Sequence, residues 1–204
     1  AAISAAIHIL SVVERNSSTV VVLSYSDSLA KLSEWCCQLL AESLSKRYSL
    51  TGEEVFTQIV PFKSRGTTDQ HSQLQLWVEG KKDKVIIFVS VDEGEKDLTM
   101  KGAYPKETSL NYLSGKTMGQ LFEAERLATE IALAKSERPN WTIKLPTLNA
   151  FTMGQILQFF MAMTSIMGHL LNINTYDQPG VEQGKKFTMG LMGRAGFESY
   201  NEEL

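Results

Sequence analysis

Three short segments of the chain hold side chains suited to proton transfer. In "TDQHSQLQL", from Thr68, an Asp, a Gln, a His and a Ser stand in a row after a Gly-Thr-Thr turn. His71 in that row could exchange a proton near neutral pH. A helix-start His bonded to backbone is the plainer reading. "LLAESLSK" carries Glu42 directly behind an apolar helical stripe. Partial burial there would suit a carboxylate to act as a general base, although the residues alone favour a solvated Glu at a helix end. "YDQPGVEQGKKF" sets Gln178 just ahead of Pro179, a first-turn proline, with Lys185 two turns further on. Lys185 could reach a ligand oxygen, or simply pair with Glu182 three residues earlier. His169 falls within an apolar helical pattern and reads as a satisfied core histidine, and His8 carries no signal. The sequence shows no Gly-rich phosphate fingerprint, no Cys/His spacing for zinc and no Ser-His-acid triad.

These residues must be positioned by a framework, and the rest of the sequence supplies one. Helical spacing from Ala5 to Glu14 is followed by the β-branched run Ser18–Tyr25. A helix with the stripe Leu29, Leu32, Trp35, Cys36, Leu39 and Leu40 comes next, with Asp27 or Ser28 as its cap. A strand is expected over Val55–Val60, then a buried helix opened by the polar row, then the clearest strand, Asp83–Val91. After a polar excursion from Glu93 to Lys116 come a helix over Met118–Lys135, a weaker strand in "NWTIKLPT" stopped by Pro146, and a long helix capped by Asn149. Strands alternating with helices predict an α/β layer fold with a mostly parallel sheet, as one domain over residues 1–204.

Composition narrows the function classes. A net charge of −3 offers no cationic field for nucleic acid or an anionic membrane surface. Cys36 and Cys37 are adjacent in an apolar stretch and read as reduced core residues of a cytoplasmic protein. The longest apolar stretch, Phe151–Leu171, is broken by Gln155, Gln158, Thr164, Ser165 and His169, which favours a buried helix over a membrane span. The chain opens Ala-Ala-Ile without an initiator Met, as a piece of a longer protein would.

Together the three segments resemble the second half of the glucose-6-phosphate isomerase (phosphoglucose isomerase) family. Tyr176–Lys185 is similar at each defining position to its signature, an aromatic followed by Asp-Gln-x-Gly-Val-Glu-x-x-Lys. "TDQHSQLQL" resembles its Gln-His-Ser segment. "WCCQLLAESLSK" resembles its Glu-Ser-x-Gly-Lys segment, with Ser45 where Gly is usual. The resemblance implies a three-layer αβα sandwich of the sugar-isomerase type, the second of two such domains. The family's Gly-Gly-Arg-Phe-Ser signature, its phosphate-binding loop and its enediolate-stabilising Arg have no counterpart here, so the chain alone is expected to be inactive. The implied roles are Glu42 as the base moving a proton between C1 and C2 of glucose 6-phosphate and fructose 6-phosphate, His71 and Lys185 in ring opening, and Gln178 in positioning the substrate near its phosphate. No metal or cofactor is implied, since one carboxylate can shuttle the proton through a cis-enediol. The resemblance further implies a cytoplasmic enzyme of glycolysis and gluconeogenesis, a homodimer whose sites borrow the His from the neighbouring subunit. A non-catalytic module that binds sugar phosphates is the alternative.

Overall fold

β-Branched runs build the centre of the molecule. The computed structural model describes residues 1–57, 59–92, 97–102 and 107–202. Strands β1 (Thr19–Tyr25), β2 (Val60–Arg65), β3 (Lys84–Val91) and β4 (Asn140–Leu145) form one parallel sheet in the order β2-β1-β3-β4. Thr19 stands opposite both Val60 and Lys84, so the central β1 is paired along both sides. Side chains alternate across a strand. Val20 and Val22 therefore enter one core with Ile87 and Val89, while Val21 and Leu23 enter another with Ile86 and Phe88.

Helices α1 (Ala2–Arg15), α2 (Ala30–Leu44) and α5 (Ala150–Leu170) cover the first face, and α3 (Thr68–Glu79) and α4 (Met118–Lys135) cover the second. These are the three layers that the family resemblance implied. Thr117 with Gln120 and Asn149 with Thr152 form capping boxes that start α4 and α5. Two further helices, α6 (Pro179–Leu191) and α7 (Ser199–Glu202), pack mainly on each other, with Phe187 edge-on to Tyr200. Only Gly190 of α6 is buried.

Several expectations need correction. The second strand runs from Val60 to Arg65, not from Val55 to Val60. Phe56 has a φ of 42°, and Val55 N and Thr57 N donate to Arg47 O and Lys46 O, so Val55–Thr57 is loop, while Gln58 lies outside the described residues. Pro61 lies inside β2, tolerated because β2 is an edge strand. Neither Asp27 nor Ser28 caps α2; a 3-10 turn over Asp27–Leu29 leads into it. Helix α3 is a surface helix that fully buries only Trp77, with Leu76 facing outward. His169 is exposed and is no core residue. The buried stripe of α5 is Ile156, Phe160, Met163 and Met167, and a residue two beyond Met167 points away from it. Cys36 is buried, but Cys37 is only half-buried. Helix α5 is long and apolar enough to cross a membrane, yet its stripe packs in the core against α1 and α2. The excursion contains a 3-10 helix over Thr108–Leu113, and residues 93–96 and 103–106 lie outside the described residues.

His8, silent in the sequence, is 1% exposed and meets Trp141 edge-on at 6.0 Å between ring centroids. Neither ring nitrogen has a hydrogen-bond partner among the described residues. Burial alone pulls its pKa down to about 4. Unfolded chains titrate His near pH 6.5, so between these values the unfolded state takes up the proton that the folded state refuses. The contribution of His8 to stability should therefore hold above pH 6.5 and fall by about 3 kcal/mol toward pH 4. Urea unfolding at pH 7 and pH 5 measures this. His8→Phe should flatten the difference, and an unchanged pH dependence in that variant would remove His8 as its source.

Candidate active site

Glu42 is the third residue from the end of α2 and is half-buried. Both of its carboxylate oxygens are engaged. Gln38 Nε2 donates to Oε1 at 3.2 Å, and Gln178 Nε2 donates to Oε2 at 2.8 Å. Gln178 is the cap residue of α6, fixed by Pro179 in the first turn. Residues 136 positions apart thus meet side chain to side chain.

The chain around them explains the meeting. After α2, Ser45 is extended, at φ −94° and ψ 98°, so the family's usual Gly is not required here. The following loop folds back through Lys46 N donating to Thr57 Oγ1 and Thr57 Oγ1 donating to Leu44 O. Leu50 N donates to Asn172 O and joins this loop to the turn after α5. That turn lies close against its helix because residue 168 is Gly; a Cβ there would sit 1.9 Å from the Thr175 side chain. Asn174 then organises the approach to Gln178, accepting from Tyr176 N and donating to Asp177 Oδ2. The two segments enclose a cleft of about 540 Å³, whose walls include Glu42, Ser45, Tyr48, Asn174, Gln178 and Val181. Its size suits a small polar metabolite.

His71 is elsewhere. Helix α2 runs back from the end of β1, so Glu42 lies at the edge where the strands begin; nearby, Ser45 Oγ donates to Ile59 O just before β2. Helix α3 follows β2, so His71 lies at the edge where the strands end; nearby, Gly66 N donates to Ser24 O. The six residues of β2 put about 20 Å between those edges. The two helices also cover opposite faces. The polar row therefore does not form one site with Glu42 within a single chain. Three of its members fasten the turn: Asp69 accepts from Arg65 N, Gln70 accepts from Tyr25 Oη, and Ser72 Oγ donates to Asp69. His71 is exposed, and its ring has no hydrogen-bond partner among the described residues.

Lys185 is also exposed, and its Nζ lies 2.7 Å from Glu182 Oε1. This is the surface pair that their spacing allows, and it holds the Glu182 carboxyl below its usual range. Lys185 is not among the residues that line the cleft. Two motif residues to which the sequence reading gave no role, Lys46 and Asp177, meet where the segments bearing Glu42 and Gln178 join. The available signals were a cation four residues beyond the helix-end Glu and an Asp directly before the motif Gln.

Comparison with known proteins agrees with this architecture. The sequence model of the family described as phosphoglucose isomerase matches residues 2–195. A glucose-6-phosphate isomerase from Carboxydothermus hydrogenoformans is 45% identical over all of this chain and 44% of its own length. One from Rubrobacter xylanophilus is 42% identical over 98% of this chain and 44% of its own length. The chain thus spans less than half the length of these relatives. Among solved structures, a hypothetical protein from Thermus thermophilus superposes with a TM-score of 0.81 at 32% identity, over 92% of this chain and 44% of that one. A glucose-6-phosphate isomerase from Chlamydia trachomatis shares the fold, with a TM-score of 0.79 at 24% identity over 94% of this chain and 38% of that one. The match runs through the Glu42, His71 and Gln178 segments alike, and the chain belongs to the phosphoglucose isomerase family.

Proposed function

We propose that this chain is the C-terminal sugar-isomerase domain of a glucose-6-phosphate isomerase, a cytoplasmic enzyme of glycolysis and gluconeogenesis that interconverts glucose 6-phosphate and fructose 6-phosphate. The observation that carries this reading is the contact of Glu42 with Gln178 in an open cleft. A carboxylate can take the proton from C2 and return it to C1 while the sugar passes through a cis-enediolate. Two neutral amide donors hold the Glu42 oxygens without neutralising the carboxylate, and they orient it toward the cleft. Gln178 keeps a second N–H and its carbonyl for the substrate.

His71 and Lys185 are assigned to ring opening: one delivers a proton to the ring oxygen, and the other relieves the anomeric hydroxyl of its own. The separation of Glu42 and His71 across the sheet supports a homodimer in which each site takes His71 from the partner. Isologous dimers make such an exchange reciprocal. A non-catalytic sugar-phosphate module is disfavoured, since the named relatives are isomerases.

The test uses the full-length protein. It should convert fructose 6-phosphate to glucose 6-phosphate, and ligand binding without turnover would favour the binding module. Mixing Glu42→Gln subunits with His71→Ala subunits, each inactive alone, separates the roles. Random reassortment gives each mixed dimer one intact site and restores about a quarter of the wild-type rate. No recovery on mixing would place both residues in the same subunit's site or deny one of them a role.

A further inference from the structure

Lys46 is an unusual residue to find enclosed, with only 5% of its side chain exposed. An ammonium has three N–H donors, and three oxygens surround this one. Nζ donates to Glu42 O at 2.8 Å and to Asp177 O, and it lies 3.3 Å from Asp177 Oδ1. The other Asp177 oxygen accepts from Asn174 Nδ2 at 2.9 Å. Glu42 O is one of the last four carbonyls of α2, which lack helical partners, and a cation at that end is favourable. One buried charge therefore joins two segments 131 residues apart. The joined residues are Glu42 itself and the immediate neighbour of Gln178. A substrate-binding role does not fit, because the donors are engaged and the side chain is enclosed.

We propose that Lys46 is a positioning residue, whose ammonium clasps the end of α2 to the Asp177–Gln178 turn and so keeps Glu42 and Gln178 aligned as one unit. The inference rests on Glu42 being the base. A misplacement of about 1 Å can cost up to 10²-fold in rate, so a clasp that sets this alignment acts on turnover more than on binding.

The decisive variant is Lys46→Met in the full-length enzyme, which keeps an unbranched apolar stem and removes every donor. We expect kcat to fall about 10- to 100-fold, with KM for fructose 6-phosphate changed by less than about twofold. Combined with Glu42→Gln it should cost little more than Glu42→Gln alone, because both act through one group. A wild-type kcat, or losses that multiply in the double variant, would overturn the clasp. Should Lys46→Met not fold, Asp177→Asn removes the ion pair while keeping the backbone acceptor. A several-fold loss in kcat at unchanged KM is expected there, and no change overturns the proposal. If Glu42→Gln itself stays active, the base assignment fails, and a crystal structure of Lys46→Met judges the clasp separately. Separation of Glu42 and Gln178 beyond hydrogen-bonding distance supports it, and retention of their 2.8 Å contact sinks it.

Discussion

Glu42→Gln in the full-length protein is expected to slow exchange of the substrate's C2 proton by about 10²–10⁴-fold, the usual contribution of a general base. The substitution is conservative in shape. A glutamine carbonyl can still accept from Gln178 Nε2, so the link between α2 and the start of α6 survives. What disappears is the ability to hold a proton between C2 and C1. Affinity for sugar phosphates should change little, so the loss should appear in kcat. Deuterium wash-in at C2, followed by NMR, reads the step directly. Isomerisation near the wild-type rate would assign the base to another residue.

The second large effect expected under the proposed function is that this chain by itself is inactive. Glucose 6-phosphate and fructose 6-phosphate carry a phosphate dianion, yet the two cations that line the cleft among the described residues are already committed. Lys46 is enclosed and fully bonded, and Arg47 pairs with Glu54. The cleft therefore offers the phosphate and the developing enediolate few fixed positive donors. Each missing preorganised donor costs about 10²–10³-fold, and His71 stands at the far edge of the sheet. Fructose 6-phosphate conversion by the purified chain should fall below detection and return when the remaining part of the enzyme is added. Robust turnover by the chain alone would refute this account.

Much of the scaffold was legible because the central strands are unambiguous. Val20–Leu23 and Val85–Val89 are unbroken apolar runs of the kind found in doubly covered parallel strands. The edge strand β2 was misplaced because its side chains are mostly exposed and Pro61 imitated a terminator. At the candidate site, the motifs singled out Glu42 and Gln178, and their direct contact was not legible. That contact depends on the close approach of Thr175 to Gly168 and on the ties between the Ser45–Thr57 loop and the turn after α5, which no local pattern encodes. His71 was placed at the strand ends, yet its separation from Glu42 follows only from helix direction and sheet order together. His8 and His169 were unreadable for a related reason. A single polar residue in an apolar helix takes its burial from which face the neighbours cover, and that is a tertiary fact.

The light attachment of α6 has a consequence for how stability is shared through the molecule. Free energies of local opening follow buried contacts, from the global value in packed strands down to near zero in segments that bury little. Helix α2 lies on the sheet with Leu32, Cys36, Leu40 and Leu44 buried, whereas α6 buries a single glycine. The wall that carries Glu42 is therefore expected to open at a free energy nearer the global value. The wall beyond Gln178 can open many times while the sheet stays intact. Access to the cleft can thus be governed by sub-global fluctuation of one helix, leaving Glu42 itself undisturbed.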